Sequence, residues 1–271
     1  MGIEEGNMVM QKTHRWNRIF REDGRVLIVA MDHAAALGNI EGLEKPGEII
    51  RQVRAGGADA ILTTYGVCKQ FAEEIGGMGI VLRVDGGVSL LVKERGPMQL
   101  TYDVYDALRI GADAVGCMGM PGSRFEAVML PYLSELVRQC AEWNMPVMAE
   151  MLPSGFENPS EWWTPENVGH ACRIGAELGV DFIKTAYTGD VESFRKVVEQ
   201  VYVPIVVLGG AMSKAPRDLL NDVHGAMQAG ASGVAMGRNI YRYSEPDRMT
   251  AAIAAVIHEG ATVDGALEYL K

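Results

Sequence analysis

The chain has 271 residues, 48% of them hydrophobic and 22% charged, enough for one large α/β barrel or two smaller domains with a sizeable core. A formal net charge of −10 argues against nucleic acid or an anionic membrane as partner. Four cysteines (Cys68, Cys117, Cys140, Cys172) lack metal-ligand spacing, and there is neither an apolar leader core nor a membrane-length apolar run, so the expectation is a cytoplasmic protein with reduced thiols.

Residues 1–24 are polar with apolar interruptions (Trp16, Ile19, Phe20 among them) and read as an N-terminal extension with a short helix closing one end of the domain. From residue 25 to 271 the organisation is repetitive. Val26 to Met31 is a fully apolar run with Asp32 and His33 at its carboxyl end. A helical segment over about 46–56 ends in Gly56, Gly57, Ala58 and Asp59, then passes into the apolar Ala60 to Thr64. The same phrase returns at Gly111-Ala112-Asp113, Gly179-Val180-Asp181 and Gly230-Ala231-Ser232, each time before an apolar run. Each reads as a helix C-terminus capped by a left-handed glycine and followed at once by a buried strand.

Further runs at 80–84, 147–151 and 205–208 bring the count to eight short strands. They alternate with helices expected near 46–56, 67–76, 101–111, 124–143, 165–179, 190–200, 215–229 and 246–258, and a last one from about 262. Eight βα units without a linker predict a single-domain (β/α)8 TIM barrel. Polar residues at strand carboxyl ends then converge on one mouth: Asp32 and His33, Thr64 and Tyr65, Asp85 to Ser89, Glu150, Lys184 and Tyr187, Gly209 and Gly210, and Gly237 to Asn239.

Strand alternation puts Phe182 and Lys184 on one face, so a lysine is committed to an interior. A desolvated amine can attack a carbonyl to form a Schiff base; the alternative is a strand-end lysine whose head reaches water. Asp32 is placed to shuttle protons at that step, or else to serve as a cap. Gly209 and Gly210, with Ser213 just beyond, and Gly237 with Arg238, end adjacent strands where barrels commonly hold a phosphate. His33 fits either a structural donor or a substrate contact. Arg83 and Arg124 are further candidates for a distal anion, Arg124 equally for an exposed helix start. No metal-ligand spacing and no dinucleotide fingerprint occur, so no cofactor is expected.

Met31-Asp32-His33, Gly86 to Ser89, Phe182 to Asp190, Val207 to Gly210 and Gly237 to Tyr241 resemble, in order and spacing, the archaeal-type class I fructose-bisphosphate aldolases of the DeoC/LacD-like group. That group includes the aminodideoxyheptulosonate synthases and the phospho-autoinducer-2 thiolase. The resemblance spans about residues 25–270. It implies that Lys184 forms an imine with the ketone of a phosphorylated or otherwise anionic ketose, Asp32 assists proton transfer, and the two glycine turns hold the phosphate. No metal is implied. Family members commonly form decamers, which implies a homo-oligomer.

One departure stands out. Where typical members carry a proton-transfer tyrosine after the fifth strand, this chain has Leu152. Glu150, two residues earlier on the same strand face, or Tyr187 is the expected replacement; an arginine-paired structural carboxylate is the alternative for Glu150. The missing tyrosine keeps two other outcomes open. One is a transferase of the same fold, thiolase or synthase, with Cys68 as a candidate nucleophile; the other is a sensor without catalysis.

Overall fold

The computed structural model describes residues 14–38, 40–94, 96–157, 159–210 and 215–271. The apolar runs become β1 (Val26–Ala30), β2 (Ala60–Thr63), β3 (Gly79–Arg83), β4 (Ala114–Gly119), β5 (Val147–Met151), β6 (Phe182–Thr185), β7 (Ile205–Leu208) and β8 (Gly233–Met236). They close in chain order into a parallel barrel, β8 pairing with β1 through Val26↔Gly233 and Leu27↔Val234. Helices alternate with the strands, so both faces of each strand are covered, which is why the strands read as continuous apolar runs. The expected (β/α)8 barrel is present.

Side chains alternate between two packed layers. Val26, Ile28, Ala30, Leu62, Val81, Met148, Phe182, Val206 and Ala235 fill the barrel interior. Leu27, Val29, Ile61, Leu82, Val115, Ile183 and Val207 face the helices. The helix His14–Ile19 packs across the amino-terminal end of the barrel. Trp16 stacks on Phe20 with ring centroids 4.2 Å apart, and Phe20 meets the edge of Phe182 at 5.3 Å. Each such buried apolar side chain stabilises by roughly 1.5–3 kcal/mol.

The repeated αβ phrase has a physical reason that capping alone does not supply. Its glycines at 57, 111, 179 and 230 all have positive φ, between 74° and 101°. At 59, 113 and 181 the aspartate two residues on then ties a backbone N–H in the first two residues of a neighbouring strand: Leu27 N donates to Asp59 at 2.6 Å, Ile80 N to Asp113 at 3.0 Å and Val147 N to Asp181 at 2.7 Å. Asp59 also meets Arg21 and His258, the latter at 3.0 Å, while Asp113 meets Arg18 at 3.0 Å. These carboxylates brace the end of the barrel opposite the mouth. They belong to stability and not to chemistry.

Departures from expectation are local. The helix expected over 67–76 is two, Tyr65–Gln70 and Ala72–Ile75. The helix expected to reach 258 turns π-helical over Ala255–Glu259. After β3 the chain forms a small antiparallel pair, Asp85–Gly86 with Gln99–Leu100, and short helices at Ala34–Leu37, Pro159–Trp162 and Arg238–Tyr241 rim the mouth.

Candidate active site

Strand register puts Lys184 directly beside Glu150, their Cα atoms being partners in the β5–β6 ladder. Both side chains therefore enter the barrel together, Lys184 at 4% exposure and Glu150 at 5%. Lys184 Nζ lies 3.1 Å from Glu150 Oε1. The other oxygen, Oε2, accepts from Arg83 Nη2 at 2.7 Å. Arg83 also donates through Nε to Asp32 Oδ2 at 2.6 Å and through Nη1 to Asp85 Oδ1 at 3.3 Å. One layer thus holds a lysine and an arginine among three carboxylates, all at the strands' carboxyl ends.

These charges set one another. Burial pushes Glu150 up, but Lys184 and Arg83 outweigh it and hold the carboxyl below its ordinary value. Asp32 is likewise raised by burial and pulled further down by Arg83, His33 and Lys184. Both groups are carboxylates at neutral pH. Asp85 differs: burial prevails over Arg83, the Met118 N–H at 2.7 Å and the Tyr132 hydroxyl at 2.9 Å, and its carboxyl is raised. Arg83 is held protonated by its carboxylates against the penalty of burial.

The glycine turns after β7 and β8 are stitched to each other. Arg238 Nη2 donates to the Gly210 carbonyl at 3.0 Å and Asn239 Nδ2 to the Gly209 carbonyl at 2.7 Å. Gly237 cannot be larger, since a Cβ there would stand 2.1 Å from the Ala30 carbonyl and 2.8 Å from His33 Cε1. His33 Nδ1 sits 3.9 Å from Asp32 Oδ1 and 3.5 Å from the Tyr241 hydroxyl. Asp32, His33, Glu150, Lys184, Gly209, Gly210, Gly237 and Arg238 therefore share the mouth; Ser213 lies outside the described residues.

Tyr187 is not gathered with them. Its hydroxyl stands 2.5 Å from where a Cβ on Gly225 would be, against the helix Pro216–Gln228, and its ring meets Phe194 edge-on at 5.3 Å. The residue lies an odd number of positions from Lys184, so the alternation that points the lysine inward turns the tyrosine outward. Leu152 is fully buried in an apolar wall with Met118, Met129 and Ala186. Cys68 is buried in the layer between strands and helices, its thiol pushed up to about 12 by burial, which removes the basis for a thiol nucleophile.

From the sequence Arg83 is a candidate for a distal substrate anion; in the structure its guanidinium is taken up by the three carboxylates. The signal was present: an arginine in the apolar run Ile80 to Val84, at the parity that faces the interior, requires buried partners.

The profile described as DeoC/LacD family aldolase matches residues 26–243. A 2-amino-3,7-dideoxy-D-threo-hept-6-ulosonate synthase of Halobacterium salinarum is 38% identical over 94% of this chain and 95% of its own. The class 1 fructose-bisphosphate aldolase of Thermoproteus tenax is 31% identical over 92% and 95%. A solved archaeal fructose-1,6-bisphosphate aldolase, whose catalytic lysine is covalently bound to the carbinolamine intermediate of its substrate, superposes with a TM-score of 0.82 at 30% identity, covering 90% of this chain and 98% of that one. No helix of the described residues is long and apolar enough to cross a membrane. The chain belongs to the DeoC/LacD family of aldolases.

Proposed function

We propose that Lys184 is the Schiff-base residue of this class I aldolase, and that its substrate is a phosphorylated or otherwise anionic ketose. The observation that carries the reading is a buried lysine amine at a strand's carboxyl end, 3.1 Å from a carboxylate that can take its proton. Addition of Nζ to the ketone carbon gives a carbinolamine. Glu150 accepts the ammonium proton and returns one to the departing hydroxyl, and Asp32 supports the same transfers from across Arg83. The iminium that remains is the electron sink for breaking or making the adjacent carbon–carbon bond, so the chemistry runs without a metal or organic cofactor. Gly209, Gly210, Gly237 and Arg238 supply the turns that receive the phosphate.

Borohydride reduction in the presence of dihydroxyacetone phosphate is the direct test, with mass spectrometry of the digested protein. An irreversible adduct on Lys184 is expected, and it also excludes a sensor. Absence of adduct with dihydroxyacetone phosphate and several other keto-phosphates would overturn the reading. The 38% identity to a heptulosonate synthase favours one second reading, a transferase that uses the same imine. It is separated by whether turnover requires a second acceptor.

The proposal extends to a cytoplasmic homo-oligomer. Tyr105 and Trp143 support it: they form an edge-on pair at 5.8 Å on the outside of the barrel, 48% and 44% exposed, a surface suited to a neighbouring copy. Sedimentation velocity should give a multiple of 29.4 kDa, and a monomer at micromolar concentration would refute this part.

A further inference from the structure

Imine formation leaves a second proton transfer without an owner. Cleaving the carbon–carbon bond requires removal of a proton from a substrate hydroxyl two carbons from the imine carbon, and the enamine left behind must be protonated at carbon. Leu152 carries no proton, and Tyr187 packs outside the barrel. Tyr65 stacks on Tyr102 at 4.9 Å in the outer layer, and the Tyr132 hydroxyl is engaged with Asp85 and the Met118 carbonyl. Glu150 has one oxygen on Lys184 and the other on Arg83, which fixes it at the nitrogen of the imine and not at the substrate's far carbon. Asp32 is pinned to Arg83 at 2.6 Å.

We propose that His33 is the catalytic base and acid of the carbon–carbon step, held for it by Asp32 and by the hydroxyl of Tyr241. The inference rests on the reading of Lys184 given above. His33 follows β1 at the mouth with its side chain 22% exposed, the open group in an otherwise buried cluster. Asp32 Oδ1 and the Tyr241 hydroxyl both address Nδ1, at 3.9 and 3.5 Å. Among the described residues Nε2 has no partner. The negative charge of Asp32 beside Nδ1 favours the tautomer protonated there, with the Tyr241 hydroxyl placed to accept, and that tautomer leaves the Nε2 lone pair free for substrate. Gly237 enables the arrangement, since a side chain there would strike both His33 and the Tyr241 ring.

The charged surroundings of the imidazole agree with the geometry. Burial lowers its proton affinity, Lys184 and Arg238 act in the same direction, and Asp32 and Glu150 oppose them, leaving it below its ordinary value. A neutral imidazole at pH 7 is the form a base needs. In the cleavage direction Nε2 takes the hydroxyl proton as that carbon becomes a carbonyl. The electron pair of the breaking bond forms the enamine double bond and neutralises the iminium. The imidazolium then returns its proton to the enamine carbon, and water releases the ketone from Lys184. Atoms and charge balance without another reactant.

Dihydroxyacetone phosphate alone suffices to test this, because its imine exchanges a carbon-bound hydrogen with solvent through the same enamine. Proton NMR in deuterium oxide reads exchange, and borohydride trapping reads the imine. For His33→Gln we expect exchange to fall by about 10²–10⁴-fold while the Lys184 adduct forms within about two-fold of wild type. Wild-type exchange should rise with pH along a limb that His33→Gln lacks and that Tyr241→Phe displaces; added imidazole should partly restore exchange to His33→Ala. Undiminished exchange in His33→Gln, or parallel loss of adduct and exchange, would overturn the assignment while leaving Lys184 in place. A wild-type protein that forms no adduct would instead remove the reading of Lys184, and this inference with it.

Discussion

Lys184→Met is expected to abolish the borohydride adduct and to lower turnover by at least about 10⁴-fold, the scale seen when a covalent nucleophile is deleted. Methionine is chosen because it fills nearly the same volume without a charge, so the interior layer loses its nucleophile and little packing. Glu150→Gln is the companion. It keeps an acceptor for Arg83 and the shape of the side chain, but it cannot take a proton from Lys184. Trapping at Lys184 should persist in this variant and form about 10²–10⁴-fold more slowly. The two variants separate the nucleophile from its shuttle. Adduct on a different lysine with turnover intact would exclude Lys184, whereas wild-type trapping kinetics in Glu150→Gln would exclude Glu150 alone.

The fold was legible because a buried parallel strand leaves little choice of residue. Val26 to Met31 and Ile205 to Leu208 are apolar on both faces, and the glycine-to-aspartate phrase marks where helices stop. What that phrase does beyond stopping a helix was not legible, since Asp59, Asp113 and Asp181 act on strands distant in sequence. At the mouth, parity along β6 gives the inward direction of Lys184, and the ladder gives its pairing with Glu150. The same parity excludes Tyr187, which lies three residues beyond Lys184. Its candidacy rests on sequence proximity to Lys184 and on the absence of a proton donor at Leu152. Arg83 is legible as an inward arginine that needs buried partners, but not which ones, because its three carboxylates come from three separate segments.

That hub explains how so many charges tolerate burial. Among the described residues, Arg83 contacts Asp32, Asp85 and Glu150 while Lys184 contacts Glu150. Two cations thus offset three carboxylates when Lys184 is protonated. Attack on a carbonyl passes that proton to Glu150 and leaves the layer's net charge unchanged; when Glu150 returns it to the departing hydroxyl, an iminium cation stands beside a restored carboxylate at the same atoms. The cluster therefore electrostatically favours the charged imine over the neutral carbinolamine that precedes it. Arg83 holds Asp32 and Glu150 in register throughout and is itself no participant in proton transfer.

Arg83→Met should accordingly destabilise the fold by about 3–5 kcal/mol, the range for removing one partner of a buried ion pair. Volume is nearly conserved, so the loss reflects carboxylates left in a low-dielectric interior with Lys184 as their one remaining cation. The sign of the pH dependence distinguishes this from a packing defect. In the native protein Asp32 and Glu150 sit below their unfolded values of about 4, so their contribution is present above that pH and is lost as pH falls through the folded values. Without Arg83, burial raises both carboxyls instead. Their penalty then grows as pH rises through the new values and is relieved by protonation at lower pH. Urea denaturation should show the deficit relative to wild type larger at pH 8 than at pH 5, and Arg83→Lys should recover part of it by returning a charge without the three-way fork. A deficit that is the same at both pH values would mean that Arg83 stabilises by packing, and would detach the carboxylates from it.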